Sequence, residues 1–343
     1  MRDDTHGPPS GAAEAGRILQ PRPWIAPAVS FCLTGGLLSL VQTQGPFPLL
    51  LAERFVPGAG WVEAALLAGY AATMTNRLLL PRRSALWRRR LWRLFSFAFF
   101  TQLVLGLAGF ERFLMTGDLH VPVPAVIAAG PVFRAERFFM PLLFSATVLL
   151  VGPAWCSFLC YMGAWDDAAA TRKRFASDLP RWRHPVRVAI LLLVIGAAAT
   201  LRAAGASMQV ATCLAGAFGV LGVAVMLLFS RRSGVMAHCS VYCPIGLAAN
   251  VFGRINPFRL KIDASCSRCG ACGKVCRYGA LPPEALERGR PDLACTLCGD
   301  CVGACADASI SFTVGGIGAP WARAAFLVLA GSLHAVFLGV ARI

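Results

Sequence analysis

The chain has few charged residues for its length. Charged side chains make up only 15% of its 343 residues, whereas hydrophobic side chains make up 57%, and the mean hydropathy is +0.61. A water-soluble protein of this composition would leave large apolar patches exposed to solvent. The composition therefore excludes an ordinary soluble protein and favours a membrane protein.

Acidic residues are the scarcest charged class, with 17 Asp and Glu against 33 Lys and Arg, which gives a net charge of +16. A basic excess can indicate nucleic-acid binding, but no groove-reading motif accompanies it here, so we predict no nucleic-acid partner. The arginines instead gather in short runs between apolar stretches. This is the positive-inside pattern of cytoplasmic loops in membrane proteins. The runs are Arg82-Arg83, Arg88-Arg89-Arg90, Arg172-Lys173-Arg174 and Arg231-Arg232.

The first 24 residues lack the apolar run of a secretory signal peptide, and no twin arginine precedes the first apolar stretch. We predict that they form a disordered cytoplasmic tail. Seven apolar stretches follow that are long enough, or nearly so, to cross a bilayer core of about 30 Å. The basic loops predict that the N-terminus is inside and the C-terminus outside. The predicted spans are 25–43, 61–80, 94–111, 138–156, 187–204, 211–230 and 321–339.

Fourteen cysteines are present, and most follow C-x-x-C or C-x-x-x-C spacings, which in a reducing compartment are typical of metal ligands. Eight of them repeat the bacterial ferredoxin pattern C-x-x-C-x-x-C-x-x-x-C. In that pattern three close cysteines bind one [4Fe–4S] cluster, and the fourth binds the other cluster. A zinc site is disfavoured because eight thiolates exceed the four ligands that zinc takes. The predicted ligands are Cys266, Cys269, Cys272 and Cys305 for cluster one, and Cys295, Cys298, Cys301 and Cys276 for cluster two.

Four further cysteines form two pairs, Cys156 with Cys160 and Cys239 with Cys243, and each pair lies in the pattern C-S-x-x-C-x-x-G. Each pair follows an apolar hairpin, so the two hairpins are predicted to be related. On a helix, the two sulfurs of a pair would share one face. The two pairs together could hold a third [4Fe–4S] cluster, which we favour. Redox-active thiols, a bound copper or zinc ion, and inert packing are the alternatives.

The segment 111–137, between the third and fourth spans, is predicted to lie outside. His120, together with Asp118 and Arg134, could bind a quinol head group and accept its protons. The alternative is that these charges only anchor helix ends. Proline at 122 and 124 argues against a continuous helix from residue 121, so a short re-entrant or interfacial piece is expected.

The predicted fold is mostly α: a polytopic transmembrane helix bundle of about seven spans with a small α+β ferredoxin module of the bacterial 2[4Fe–4S] type. The module accounts for the doubled cysteine pattern, and the bundle carries the two cysteine pairs. The predicted divisions are a tail at 1–24, the bundle at 25–258, the module at 259–315 and a C-terminal transmembrane helix at 319–343.

Several of these motifs occur together in one known family. Spans that end in C-x-x-x-C, the turn Cys243-Pro-Ile-Gly-Leu, the approach at 253–259 and the doubled ferredoxin pattern resemble the NapH/NosR-type membrane polyferredoxins. The resemblance covers roughly residues 90–315. It implies quinol oxidation and delivery of electrons toward a respiratory reductase. The chain differs in having Tyr161 where the first pair would carry its proline, in two additional apolar stretches, and in having no flavin-binding periplasmic domain.

These patterns predict an electron carrier of the bacterial inner (cytoplasmic) membrane, with its ferredoxin module in the cytoplasm. Electrons would pass between the quinol pool, or a redox partner protein, and a respiratory reductase. No nucleophile–base constellation indicates other chemistry on a substrate. The alternative function is that of an assembly factor, a thiol and iron–sulfur protein that reduces a metal such as copper for a respiratory metalloenzyme.

Overall fold

The computed structural model describes residues 24–45, 47–113, 121–136, 138–180, 182–318 and 320–340. The described chain is mostly helical and contains one small three-stranded sheet, so the predicted fold class is confirmed at that level. The predicted tail, apart from Trp24, lies outside the described residues, and so do Asp118 and His120.

The helices up to the first cysteine pair are α1 (Ile25–Gln44), α2 (Leu51–Phe55), α3 (Gly60–Leu79), α4 (Pro81–Leu107), α5 (Val126–Arg134) and α6 (Phe139–Val151). The later ones are α7 (Tyr161–Ala170), α8 (Arg183–Ala203), α9 (Met208–Val225), α10 (Arg231–Ser233), α11 (Pro244–Phe252), α12 (Ala271–Val275), α13 (Pro283–Glu287), α14 (Asp300–Ala304) and α15 (Ala322–Val340). Short 3₁₀ turns lie at Glu111–Phe113 and Gly152–Ala154, and π-helical turns at Trp155–Leu159, Met226–Ser230 and His238–Tyr242.

Within the described residues, five helices are long and apolar enough to cross a membrane, judged by length and composition. Helices also occupy the two other predicted spans, but they are less apolar. Helix α3 carries Glu63 and Arg77, and the first half of α4 is rich in arginine. Seven crossings therefore stay a prediction. The five helical stretches are Ile25–Gln44, Phe139–Leu159, Arg183–Ala203, Met208–Ser233 and Ala322–Val340.

Helix α4 corrects one boundary of the sequence prediction. The connection 81–93 was expected to be a loop, but the helix runs through it without a break. Arginine is a good helix former, and Pro81 occupies the first turn, where its missing N–H costs nothing. As predicted from the prolines at 122 and 124, α5 begins only at Val126.

Helices α1, α3 and α15 pack together through small and hydroxyl side chains. The Ser30 and Ser332 hydroxyls are 3.1 Å apart, and Thr75 donates to Ser30 at 3.0 Å. Such residues let helix backbones approach closely in apolar surroundings.

The sheet closes the chain segment that contains the eight-cysteine pattern. Strand β1 (Phe258–Ile262) pairs antiparallel with β2 (Ile310–Val314), Phe258 opposite Val314, and β3 (Ile317–Gly318) extends the sheet. We call residues 258–314 the eight-cysteine segment. The ring of Phe326 in α15 stacks on that of Phe312 in β2, with ring centroids 4.9 Å apart. It also meets the ring of Phe158, which lies between Cys156 and Cys160, edge to face with centroids 6.1 Å apart. The segment is therefore packed on the helical bundle.

Candidate iron–sulfur sites

The two C-S-x-x-C-x-x-G repeats adopt the same local structure. In each, the first cysteine lies in a π-helical turn, and the second leaves the helix with an extended backbone. The dihedrals are φ −82°, ψ 114° at Cys160 and φ −74°, ψ 117° at Cys243. Each second cysteine then precedes a new helix, α7 or α11. An α-helical placement of the pairs is thus corrected: wide π-turns, which frequently occur at functional sites, present these cysteines.

The final glycine of each repeat allows a close backbone approach. A Cβ added at Gly163 would lie 2.9 Å from the carbonyl oxygen of Cys156, and one at Gly246 would lie 2.9 Å from that of Cys239. Real Cβ atoms do not approach an oxygen so closely, so both positions require glycine. The equal distances show that the repeat in sequence is also a repeat in structure.

A different side chain covers each of these glycines. Trp92 of α4 lies over Gly163, and its Nε1 donates a hydrogen bond to the carbonyl oxygen of Cys160 at 2.7 Å. Arg187 of α8 lies over Gly246, where an added Cβ would be 3.2 Å from its Nη2. One repeat is therefore covered by a neutral ring and the other by a cation.

The structure brings the four paired cysteines together. We call Cys156, Cys160, Cys239 and Cys243 the four-cysteine site; all four are buried in one core and interact electrostatically with one another. Burial, and then the neighbouring Cys243 thiol, raises the pKa of Cys160 to about 12. Bare thiols would therefore stay protonated here, whereas metal ligation needs thiolates. A positive charge close to the thiols would lower that cost.

Arg187 supplies a positive charge beside this site. Its side chain is only 1% exposed, and its Nε and Nη1 have no hydrogen-bond partner among the described residues. It interacts electrostatically with Cys156, Cys243 and Cys239. A buried, unpartnered guanidinium fits a site that holds an anionic group, and four thiolates with a [4Fe–4S] cluster are such a group.

No three His, Cys, Asp or Glu side chains in the described part of the chain converge closely enough to hold a single metal ion. A cubane cluster places its irons at separate corners, so its thiolates stand around it and need not converge on one point.

A buried aspartate joins the two repeats. Asp166 of α7, the helix that follows the first cysteine pair, accepts a hydrogen bond from the backbone N–H of Cys239 at 2.9 Å and one from the Ser230 hydroxyl at 2.5 Å. Burial raises the pKa of Asp166 to about 6, against the opposing effect of these hydrogen bonds. The two pairs are thus held in one site by a contact between the repeats.

The eight-cysteine segment contains a second internal repeat in its backbone. Gly270 and Gly299 have left-handed φ angles of 73° and 77°, and each directly precedes a short helix, α12 or α14. Two residues earlier, Arg268 and Leu297 also have positive φ values of 56° and 53°. Such strained positions cluster at functional sites. The ligand assignment of the two predicted clusters stays a prediction.

The two cysteine sets of this segment differ in their surroundings. In the first set Cys269 is exposed, Cys266 and Cys305 are partly buried, and Cys272 is buried. In the second set Cys301 is buried, and the intervening Leu297 and Asp300 are buried as well. The first set therefore lies nearer to solvent, and the second faces the helical bundle.

Arg88 connects α4 to the second set. Its side chain is 1% exposed; Nε and Nη2 donate to the two carboxylate oxygens of Asp300 at 3.0 and 2.8 Å. Its Nη1 donates to the carbonyl oxygen of Ser157, and the Ser157 hydroxyl donates to the carbonyl oxygen of Thr296 at 3.0 Å. Burial alone would raise the pKa of Asp300, but Arg88 outweighs it and the pKa is lowered. The positive-inside pattern of the sequence places Arg88 in a basic loop and does not indicate this pairing.

Tyr278 lies between the two groups of cysteines. It is 4% exposed, and its hydroxyl has no hydrogen-bond partner within the described ranges. It interacts electrostatically with Cys239 and Cys156 of the four-cysteine site and with Cys298 of the eight-cysteine segment. No local sequence pattern indicates this position, because its neighbours come from three distant parts of the chain.

An apolar cavity of about 570 Å³ lies between α5, α8 and α9. Arg134 lines it, as does Phe218, whose ring stacks on Tyr242 with centroids 4.5 Å apart. The Tyr242 hydroxyl donates to the carbonyl oxygen of Phe218 at 2.8 Å, and Tyr242 directly precedes Cys243. Of the two quinol-site residues from the sequence, Arg134 is thus at a cavity, and His120 lies outside the described residues.

Apolar helices that bury clustered cysteines are features of a membrane-type iron–sulfur protein, and the comparisons agree. Residues 135–176 and 213–263 match a family described as "4Fe-4S binding domain". These stretches contain the four-cysteine site, and most of the eight-cysteine segment lies beyond them. The chain is therefore similar to membrane-type iron–sulfur electron-transport proteins.

Two curated proteins are similar to the chain. The putative electron transport protein YccM of Escherichia coli (strain K12) is 25% identical over 240 residues, which cover 63% of this chain and 67% of YccM. The uncharacterized protein MJ0749 of Methanocaldococcus jannaschii is 28% identical over 79 residues, 23% of this chain and 30% of that protein. No solved structure matches the chain.

Proposed function

We propose that this protein takes electrons from the quinol pool and passes them, through [4Fe–4S] clusters held by its three cysteine sets, to a redox partner that serves a respiratory reductase. The observation that carries the proposal is the direct packing of the four-cysteine site on the eight-cysteine segment. Ser157, inside the first pair, is hydrogen-bonded to Thr296, which lies between Cys295 and Cys298. Cysteine sets in contact suit electron transfer from one to the next.

The order of the cysteine sets supports one direction of electron transfer through the protein. The four-cysteine site is buried in the bundle, the second set of the eight-cysteine segment lies against it, and the first set includes the exposed Cys269. A [4Fe–4S] group, when bound by four thiolates, exchanges one electron at a time. We propose that the exposed end, in the cytoplasm of a bacterial cell, receives the redox partner protein.

The cavity beside α5 suits a lipid-soluble quinol. Its lining is mostly apolar with a few polar groups, as is usual for ligand pockets, and Arg134 is its charged member. Oxidation of a quinol to a quinone releases two electrons and two protons. The stacked rings of Phe218 and Tyr242 join this cavity to the four-cysteine site. We propose that Arg134 orients the quinol head group.

The test uses the full chain, purified anaerobically in detergent. We expect about twelve irons and twelve sulfides per chain, since each cubane contains four of each. The variant Cys243→Ala should fall to about eight irons, whereas Cys213→Ala, which removes an exposed cysteine of α9, should keep about twelve. About eight irons in the unaltered protein, with four titratable thiols, would contradict a cluster at the four-cysteine site.

The same preparation tests the electron donor. A water-soluble quinol analogue should reduce the clusters anaerobically, and Arg134→Gln should slow that reduction. Arg202→Gln, which removes an exposed charge at the end of α8, is the matched control. An Arg134→Gln protein that is reduced at the unaltered rate would count against this cavity as the quinol site.

A further inference from the structure

Arg187 differs from the other buried arginines that face the cysteine sites. Arg88 is paired with Asp300, and Arg183 donates to the carbonyl oxygens of Tyr278 and Gly279 at 3.2 and 3.0 Å. Arg187 is as deeply buried as Arg88, yet its Nε and Nη1 find no acceptor among the residues that the structure describes. A buried charge without partners is strongly unfavourable. A guanidinium also keeps its proton at ordinary pH, so it cannot escape that cost by becoming neutral.

The surroundings of Arg187 indicate what offsets this charge. Cys156 and Cys243 are its leading attractive electrostatic partners; the repulsion from Arg183 comes next, and then the attraction to Cys239. Asp166, a buried carboxylate of the site, is already engaged by Ser230 and by the backbone of Cys239. The charge is therefore directed at the thiols of the four-cysteine site.

The second repeat is shaped to admit this side chain. Gly246 has no side chain, and a Cβ there would come within 3.2 Å of Arg187 Nη2. At the equivalent glycine of the first repeat, Gly163, the space is filled by Trp92, a neutral ring. The two repeats therefore have the same backbone conformation, but only the second has a charged side chain beside its final glycine.

We propose that Arg187 is the built-in counter-charge of the anionic iron–sulfur group at the four-cysteine site and raises the potential at which that site accepts an electron. The inference rests on the proposed function, because it requires a cluster there. One-electron reduction adds one negative charge to the cluster and its four thiolates. A fixed cation in a dry site stabilises that added charge strongly, since neither water nor salt screens it. Arg187 is thus a positioning residue that acts through charge.

The test is a redox titration of the full chain followed by electron paramagnetic resonance. Arg187→Gln keeps hydrogen-bonding capacity but removes the charge, and Arg187→Lys keeps the charge. At a fixed potential near the midpoint, we expect Arg187→Gln to lower the reduced-to-oxidised ratio of the cluster at the four-cysteine site at least tenfold. This corresponds to a fall in its midpoint potential of ~59 mV for one electron. Arg187→Lys and the control Arg202→Gln should stay near the unaltered midpoint. An unchanged midpoint in Arg187→Gln, or an equal fall in Arg187→Lys, would overturn the inference.

Iron content separates this inference from the proposed function. If the unaltered protein holds only about eight irons, the cluster at the four-cysteine site is itself refuted, independently of the Arg187 variants. If it holds about twelve and the midpoint does not respond to Arg187→Gln, only the counter-charge is refuted. If Arg187→Gln loses four irons while Arg187→Lys keeps them, charge is needed to retain the cluster and the inference is supported. If both Arg187→Gln and Arg187→Lys lose about four irons while the signals of the other clusters stay intact, the shape of the arginine side chain and not its charge retains the cluster. That result would overturn the inference.

Discussion

At the scale of single residues, the four-cysteine site depends on the absence of a side chain at two glycines. Gly163 and Gly246 each leave room for the carbonyl oxygen of the first cysteine in their repeat. The recurring C-S-x-x-C-x-x-G pattern identified both glycines from the sequence. It could not identify Trp92 or Arg187, because these side chains come from other helices and follow no local pattern.

We expect Gly246→Ala to destabilise the site. The new Cβ would lie 2.9 Å from the carbonyl oxygen of Cys239 and would press on Arg187, and such overpacking typically costs about 1–3 kcal/mol. The melting temperature in detergent should fall, and iron at the four-cysteine site should be lost first. The matched control is Gly196→Ala in α8, where an added Cβ meets nothing within 4 Å. Equal melting temperatures and iron contents in the two variants would contradict this account of the repeat.

At the scale of secondary structure elements, α4 has two functions along its length. Its second half is apolar, whereas its first half carries the arginines that the positive-inside pattern assigns to a cytoplasmic loop. That pattern does not distinguish an arginine in water from a buried one. Arg88 is buried because it pairs with Asp300, and Asp300 lies 212 residues later in the chain. A pairing so distant in sequence cannot be read from local composition, although the helix positions themselves were predicted within a few residues for most of the spans.

Removing Arg88 should separate the bundle from the eight-cysteine segment. Arg88→Met leaves the buried Asp300 carboxylate with only the longer contact to Arg89 Nη2 at 3.3 Å, and breaking a buried pair by removing one partner costs about 3–5 kcal/mol. Unfolding of the detergent-solubilised protein, followed by loss of cluster absorbance, should occur at a much lower temperature. The double variant Arg88→Met/Asp300→Leu should recover part of the loss, since it removes both charges.

An exposed arginine of the same helix, Arg83, gives the control for this experiment. Arg83→Met removes a charge from the same basic half of α4 at a solvent-exposed position and should change stability little. If Arg83→Met and Arg88→Met were equally destabilised, the effect would come from the basic half of α4 as a whole and not from the pair with Asp300.

At the scale of the whole molecule, the cysteine sets were predictable as separate motifs, but their contact was not. The spacings fixed which cysteines belong together within each set. The hydrogen bond from Ser157 to Thr296 spans 139 residues, and the position of Tyr278 depends on the packing of several elements. The route between the sets is therefore a property of the folded chain, and it explains how a bundle and a small sheet segment can act as one carrier.

The packing of α15 gives the last prediction, which concerns membrane topology. Ser332 meets Ser30, and Gly339 lies against Leu38, so α15 runs parallel to α1. Gly331 lies against Thr75 and Gly339 against Leu67, so α15 runs antiparallel to α3. Because α15 starts beside the eight-cysteine segment and is apolar along its length, we expect it to cross the membrane from the cytoplasm outward.

Reporter fusions to either end of α15 test this crossing directly. A fluorescent reporter fused after Gly318, before α15, should be active in the cytoplasm, whereas alkaline phosphatase fused after Ile343 should be active outside. The parallel packing with α1 also places the start of α1 on the cytoplasmic side, so a tag ahead of Trp24 should resist protease added to intact spheroplasts. Cytoplasmic signals at both ends of α15 would leave at most six crossings. A protease-sensitive N-terminal tag would contradict the parallel arrangement of α1 and α15 across the membrane.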